Sequence, residues 1–415
     1  MHTAARLCWA AVTAHLALPL AAVLLAASGG GAAAQEPARD GWVTERLQSA
    51  RLGAERSYLV ALPKGYGEGS ARFPVLVVLD ANDRAQLDAA AANAAFLASR
   101  GAIPPLIVVG VLNEGNRTRD LTPPAANGSG GGSATFAAFI ADELLPDVRT
   151  RYRTHPLTVL AGHSFGGLFA LDVAATRPGL FRGIIAMSPS LWWSDSTYVA
   201  TYADSLGRGR APLRLFASSG ELEVAIDRST RRFAQRLDSL RAPGVEFEHR
   251  GYPGLTHGLT PLPSLVDGLR FVFAPVAKER MPLSRLGPGA DSAATMARAR
   301  ETEAAYTRGA RSLGLPEELP ESELAELGSY LLRQPGRAAT ALEVFRRNAT
   351  LHPESPNVHS AVANAHLARG DTAAAVTALE RAADVSRRTG RPLPPAAQER
   401  LAALRQALAA RRARP

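Results

Sequence analysis

From residue 41 to about 274 the chain alternates between short apolar runs and longer stretches of helical periodicity. Arg56-Ser57-Tyr58-Leu59-Val60-Ala61-Leu62 alternates in polarity and stops at Pro63, as a half-buried strand does. Residues 75–79, 106–111, 157–161, 183–187 and 213–217 are instead nearly continuous apolar runs. Runs without alternation suit parallel strands whose sheet is covered by helices on both faces. Helical stretches such as residues 136–149 and 229–240 separate them. The order predicts an α/β domain of three layers around a mostly parallel sheet. Asn127-Gly128-Ser129-Gly130-Gly131-Gly132-Ser133 reads as a flexible loop inside this domain, because strands resume after it.

The strand pattern stops where Pro and Gly cluster, between about 275 and 288. This predicts a domain over residues 41–274, a linker over 275–292 and an all-helical region over 293–415. Residues 293–313 read as one helix closed by Gly314 and Pro316. Two similar helical hairpins follow. In the second, Val362-Ala363, His366, Gly370, Ala375, Leu379 and Ala382 occupy the spacing of a tetratricopeptide repeat. Leu327-Gly328, Leu331, Ala341, Phe345 and Pro353 fit the same frame if one residue is inserted near Pro335. Two repeats fall short of the roughly three needed to stand alone, so this small tetratricopeptide-like region is expected to dock on its neighbours.

The first stretch differs from both regions. Arg6 precedes an apolar run at residues 16–25, and Ala32-Ala33-Ala34 precedes Gln35 with small residues where a signal peptidase cuts. The run is shorter than the roughly 20 residues that span a bilayer. Residues 1–34 are therefore read as a signal peptide, and the mature protein as exported, periplasmic or secreted from a bacterium. Cys8, the sole cysteine, leaves with that segment, which excludes a disulfide or a thiol nucleophile in the mature chain. The 47 Lys and Arg against 38 Asp and Glu make the chain basic, but the charge is almost all Arg and scattered. No basic stripe interleaved with aromatics points to nucleic acid.

Gly162-His163-Ser164-Phe165-Gly166-Gly167 follows one apolar run and opens a helical one. This is a nucleophile elbow in its required context of strand, sharp turn and helix, and it narrows the fold to an α/β-hydrolase sandwich with Ser164 as nucleophile. A serine hydroxyl needs a base to take its proton. In this fold the acid and the histidine follow the nucleophile in that order. His257 lies in Pro253-Gly254-Leu255-Thr256-His257-Gly258, a loop just past the last strand, and is preferred to His249 within that strand. For the acid, Ser218-Ser219-Gly220-Glu221-Leu222-Glu223 follows an apolar run. Glu223 is favoured there, with Glu221 and a Ser–His dyad lacking any acid left open. The oxyanion hole needs two backbone amides. Phe165 supplies one, and the loop Asp80-Ala81-Asn82 the other, with Asn82 preferred. No Cys, His and carboxylate cluster has metal-ligand spacing, and no Gly-rich loop fits a nucleotide, so no cofactor is expected.

The chain resembles the esterase branch of the α/β hydrolases that includes the enterochelin and other siderophore esterases. Arg117-Thr118-Arg119-Asp120-Leu121-Thr122-Pro123, the elbow through Phe169, Ser188-Pro189-Ser190-Leu191-Trp192-Trp193 and Thr256-His257-Gly258 carry the likeness, which covers nearly all of residues 42–274. It implies hydrolysis of carboxylic esters through an acyl-enzyme at an open site with little or no lid. It also implies that residues 188–193 lie close to the nucleophile. Trp192 and Trp193 would then form an aromatic wall for substrate or fill the core, and Arg119 would contact an anionic substrate or pair with a nearby carboxylate. The helical tail is not part of the siderophore enzymes. The leading function is thus a secreted serine esterase acting on a small-molecule ester, siderophore-type esters included. An acyltransferase on the same site and a partner-binding protein acting through the helical repeats are the alternatives.

Overall fold

A computed structural model describes residues 41–67, 71–209, 211–287 and 289–412. The predicted signal peptide lies outside the described residues. Among the described residues eight strands form one sheet: β1 (Val43–Ser49), β2 (Ala54–Ala61), β3 (Phe73–Val78), β4 (Ile107–Val111), β5 (Thr154–His163), β6 (Gly183–Met187), β7 (Leu213–Gly220) and β8 (Val245–Tyr252). They lie in the order β1-β2-β4-β3-β5-β6-β7-β8, antiparallel at the β1–β2 and β2–β4 pairs and parallel from β4 onward.

The sheet splits its side chains between two cores, as the period of two requires. From β3, Val75 and Val77 enter one core and Leu76 and Val78 the other. Helices α1 (Arg84–Ser99) and α8 (Pro261–Val272) cover the second face. The first is covered by α3 (Ser133–Phe139), α4 (Leu145–Arg151), α5 (Phe165–Thr176), α6 (Thr197–Gly207) and α7 (Val224–Leu240), with the short α2 (Arg117–Leu121) at one end. A π-helical turn, Ile140–Leu144, joins α3 to α4, so the helix expected over 136–149 is three linked pieces. Edge strand β1 escaped the sequence pattern because Glu45 points inward. Arg151 Nη1 (2.8 Å) and the Tyr152 hydroxyl (2.6 Å) satisfy its carboxylate.

The Gly-rich loop departs from its expected flexibility. The amides of Gly131 and Ser133 both donate to the Thr122 carbonyl, and Ala125 N–H donates to Ser129 O. Gly130, at φ +70°, passes so near the Trp193 ring and Thr122 hydroxyl that a Cβ would collide with both. Backbone pairing and a seat for Trp193 order a segment whose composition alone suggests freedom.

Beyond α8 the chain makes three 3₁₀ turns before α9 (Ser292–Leu313), which Asp291 caps through Ala294 N–H and Gly314 closes in the left-handed region. Then follow α10 (Glu321–Leu332), α11 (Ala338–Leu351), α12 (Pro356–Ala368), α13 (Thr372–Thr389) and α14 (Pro395–Arg412). Gly328 of α10 lies against the Phe345 ring of α11. Helix α9 serves two cores. Its Ala299 packs with Leu324, Leu331 and Phe345, whereas Ala310 and Leu313 pack with Leu97, Ile103 and Phe273 of the sheet domain. At the crossing, a Cβ on Gly309 would sit 1.9 Å from the Pro275 carbonyl oxygen. Among the described residues no helix is long and apolar enough to cross a membrane.

Gly309→Val is therefore expected to destabilise the protein by roughly 1–3 kcal/mol through overpacking. Thermal unfolding should show a lowered midpoint, and limited proteolysis faster cleavage within residues 275–292.

Candidate active site

Strand β5 hands the chain to α5 through Ser164, whose φ of +60° and ψ of −116° are strained for a residue with a side chain. Two glycines make that turn possible. A Cβ on Gly162 would lie 2.3 Å from the Gly166 carbonyl oxygen, and one on Gly167 3.0 Å from the Met187 carbonyl oxygen. Ser164 N–H donates to Met187 O, and Ser190 N–H donates to Ser164 O. The Ser164 and Ser190 hydroxyl oxygens are 3.2 Å apart. Phe165, as the first helical residue, has an amide with no acceptor inside its own helix.

His257 stands in the loop between β8 and α8, with its Nδ1 2.5 Å from Glu223 Oε2. Glu223, in the turn between β7 and α7, is held on its other oxygen by the Ser188 hydroxyl (2.5 Å) and the Gly220 amide. Burial alone would raise this carboxyl, but the hydrogen bonds from His257, Ser188 and Gly220 outweigh it and hold it below the ordinary range. The Ser188 and Thr260 hydroxyls are 2.8 Å apart, and Thr260 donates to the His257 carbonyl (3.0 Å). Ser188 sits at φ +43°. Glu221, the neighbouring candidate acid, turns outward and accepts from Gly254 N–H (2.9 Å). His249 lies within β8 with Nε2 3.3 Å from the Ser219 hydroxyl, which donates to Asp227.

The loop after β3 is built around Asp80, at φ +59°. Its carboxylate accepts from Arg117 Nε (2.7 Å) and Nη2 (2.8 Å) and from Asn113 Nδ2. The Arg117 guanidinium in turn lies 5.3 Å over the Phe165 ring. Asn82 uses its side-chain oxygen to accept Asn113 N–H (2.8 Å), so the loops after β3 and β4 are tied together. Arg119 binds Asp120, a buried carboxylate that also takes Arg56.

The two tryptophans part company. Trp193 is 9% exposed and donates its indole N–H to the Pro123 carbonyl, whereas Trp192 is 44% exposed. Phe165 touches both, with ring centroids 6.0 Å from Trp192 and 5.3 Å from Trp193. Past them Ser194, Asp195 and Ser196 adopt positive φ in succession, a strained turn that ends the aromatic cluster. Sequence reading placed residues 188–193 and 80–82 at the site but gave no side-chain role to Ser188, Ser190 or Asp80, and it missed Thr260. The available signal was position: Ser188-Pro189-Ser190 leaves β6, the strand beside the nucleophile strand, at the same sheet edge.

His163 precedes the nucleophile, and its ring centroid is 4.3 Å from that of His257. Its Nε2 is buried without a hydrogen-bond partner. Burial first, then the neighbouring His257 ring, push its imidazole down to about 4.

A family model described as "Putative esterase" matches residues 49–236. The ferri-bacillibactin esterase BesA of Bacillus subtilis is 29% identical over 234 residues, spanning 49% of this chain and 80% of the relative. An IroE-like serine hydrolase from Shewanella oneidensis superposes with a TM-score of 0.61 at 26% identity, over 74% of this chain and 99% of that one. An uncharacterised protein from Capnocytophaga ochracea shares the fold over 88% of this chain and 99% of its own, with a TM-score of 0.56 at 17% identity.

The His163 environment sets a pH dependence of stability. An unfolded histidine binds a proton below about pH 6.5, whereas folded His163 stays neutral until about 4. The unfolded chain thus binds more protons in that window, and stability falls as pH drops from about 6.5 to about 4. Thermal midpoints measured across this window should decline, and His163→Gln should make the decline shallower. A residual slope will remain from His155 and His249, both lowered, by burial first.

Proposed function

We propose that this chain, a member of the esterase family of α/β hydrolases and a carboxylic ester hydrolase, works through Ser164, His257 and Glu223 and an acyl-enzyme. The observation that carries the assignment is the 2.5 Å contact of Glu223 with His257 Nδ1, on the sheet edge where strained Ser164 stands. With Nδ1 bound to the carboxylate, Nε2 is the nitrogen left for the nucleophile. In the resting arrangement Ser164 Oγ is near Ser190. The mechanism requires Oγ to turn from Ser190 to His257 when substrate enters, a tightening common in such sites.

Ser164 Oγ attacks the ester carbonyl carbon as its proton passes to His257 Nε2. The carbonyl oxygen gains the negative charge and receives hydrogen bonds from the amides of Phe165 and Asn82, with the α5 dipole adding to the field. The intermediate collapses, the C–O bond to the alcohol breaks, and His257 returns the proton to the leaving alkoxide. Water then attacks the acyl-enzyme by the same relay. Glu223 keeps the imidazole in one tautomer and stabilises its cation. Siderophore-type esters enter as substrates by analogy with the Bacillus subtilis relative's name. Export rests on the signal-peptide pattern of residues 1–34. We assign residues 41–274 to the esterase domain and residues 293–415 to a tetratricopeptide-like tail that recruits a protein partner. The small-to-large fit of Gly328 against Phe345 supports that tail.

The test is p-nitrophenyl acetate hydrolysis by the purified chain, with folding followed by circular dichroism. Ser164→Ala and His257→Ala should each lose roughly 10³-fold or more in kcat. Glu223→Gln should lose between about tenfold and 10⁴-fold. An unimpaired Glu223→Gln would reduce the machinery to a Ser–His dyad, and an unimpaired Ser164→Ala would refute the serine mechanism.

A further inference from the structure

Of the eight large apolar side chains exposed among the described residues, five stand on the loops that carry the proposed machinery or in the first helical turn after them: Trp192, Leu222, Val224, Leu259 and Leu262. Single exposed leucines need no explanation, but a concentration of them marks a binding surface. Leu222 and Val224 flank Glu223 in the chain, Leu259 follows His257 by two residues, and Leu262 opens α8. The two loops form one rim, since Leu222 N–H donates to the Leu255 carbonyl. Trp192 lies in the loop after β6, against the Phe165 ring that follows the nucleophile.

Charge around the site points the same way. Residues 253–263 contain no ionisable side chain except His257. Arg117 is committed to Asp80 and Arg119 to Asp120. The exposed charge on the acid loop is a carboxylate, Glu221. An anionic ester would meet arginines already neutralised and a negative group beside the acid, whereas an aliphatic chain would cover surface now facing water.

We propose that this rim is an acyl-binding surface and that the preferred substrate is an uncharged ester with a long aliphatic acyl chain. The proposal rests on the serine-esterase reading above and replaces its siderophore-type ester with an aliphatic one. A fully buried methylene strengthens binding about fourfold; on an open rim roughly twofold per methylene is expected. From acetate to octanoate, kcat/KM should therefore rise roughly 50-fold after correction for the hydroxide-catalysed rates.

The experiment compares p-nitrophenyl acetate, butyrate and octanoate, all as monomers, on wild type, the Leu222→Ser/Leu259→Ser double variant, Leu240→Ser and Ser164→Ala. Wild type should favour octanoate. The double variant should lower the octanoate-to-acetate ratio at least fivefold, and Leu240→Ser, an exposed leucine at the far end of α7, should leave that ratio in place. A flat chain-length profile with Ser164-dependent acetate hydrolysis would overturn the acyl rim and leave the esterase reading standing. Binding to phosphatidylcholine vesicles, lost in the double variant and without chain-length preference, would also overturn it by giving the rim to a lipid surface. Absence of hydrolysis in wild type would sink both proposals.

Discussion

The approach of Gly162 to the Gly166 carbonyl is the contact on which the site depends. It lets β5 stop and α5 begin within one residue, so the strain falls on Ser164 and its side chain is thrown above the sheet edge. Because β5 lies between β3 and β6, the loops after β3, β6, β7 and β8 all open at that same edge. In open α/β sheets this carboxyl edge is where ligands bind. The fold thus brings loops from positions 80 to 260, most of them far from the nucleophile in sequence, to one edge.

What holds these loops is a set of carboxylates whose acceptors are each filled. Glu223 takes three donors, Asp80 takes Arg117 twice and Asn113, and Asp120 takes Arg56 and Arg119. In a partly buried setting an unfilled acceptor costs more than a filled one gains. Each carboxylate therefore fixes the loop that carries it. The Asp80 cluster is the more consequential for geometry, since it locks a segment beside Gly166 from two sides, through Arg117 and through Asn113.

Much of this was legible in the sequence where a residue's neighbours in the chain determine its environment. The five apolar runs located β3 to β7, the alternation over residues 56–62 located β2, and the glycines around Ser164 exposed the turn. Pairings across long separations were hidden. Glu221 and Glu223 share one turn, yet Glu221 is taken by Gly254 N–H while Glu223 is held by Ser188, Gly220 and His257. Ser188 meets Glu223 across 35 residues and Thr260 across 72, and its place just past β6 signals nearness to the nucleophile but not these partners. The inward Glu45 of β1 defeated the alternation rule because its partners lie on α4 and just beyond it. The question of whether the tryptophan pair is wall or core had a divided answer, since one ring is buried and the other exposed.

Helix α9 has a bearing on how the molecule is made. Its C-terminal turns and Leu315 complete the core beneath α1 and α8, yet they leave the ribosome only after every strand and the whole connection past α8. Until then Leu97, Ile103 and Phe273 have an open flank. The esterase fold therefore cannot close as a finished unit during synthesis before part of the helical region has emerged. A truncation at the end of α8 would keep every proposed catalytic group while leaving a permanent apolar scar, so solubility would fail before chemistry.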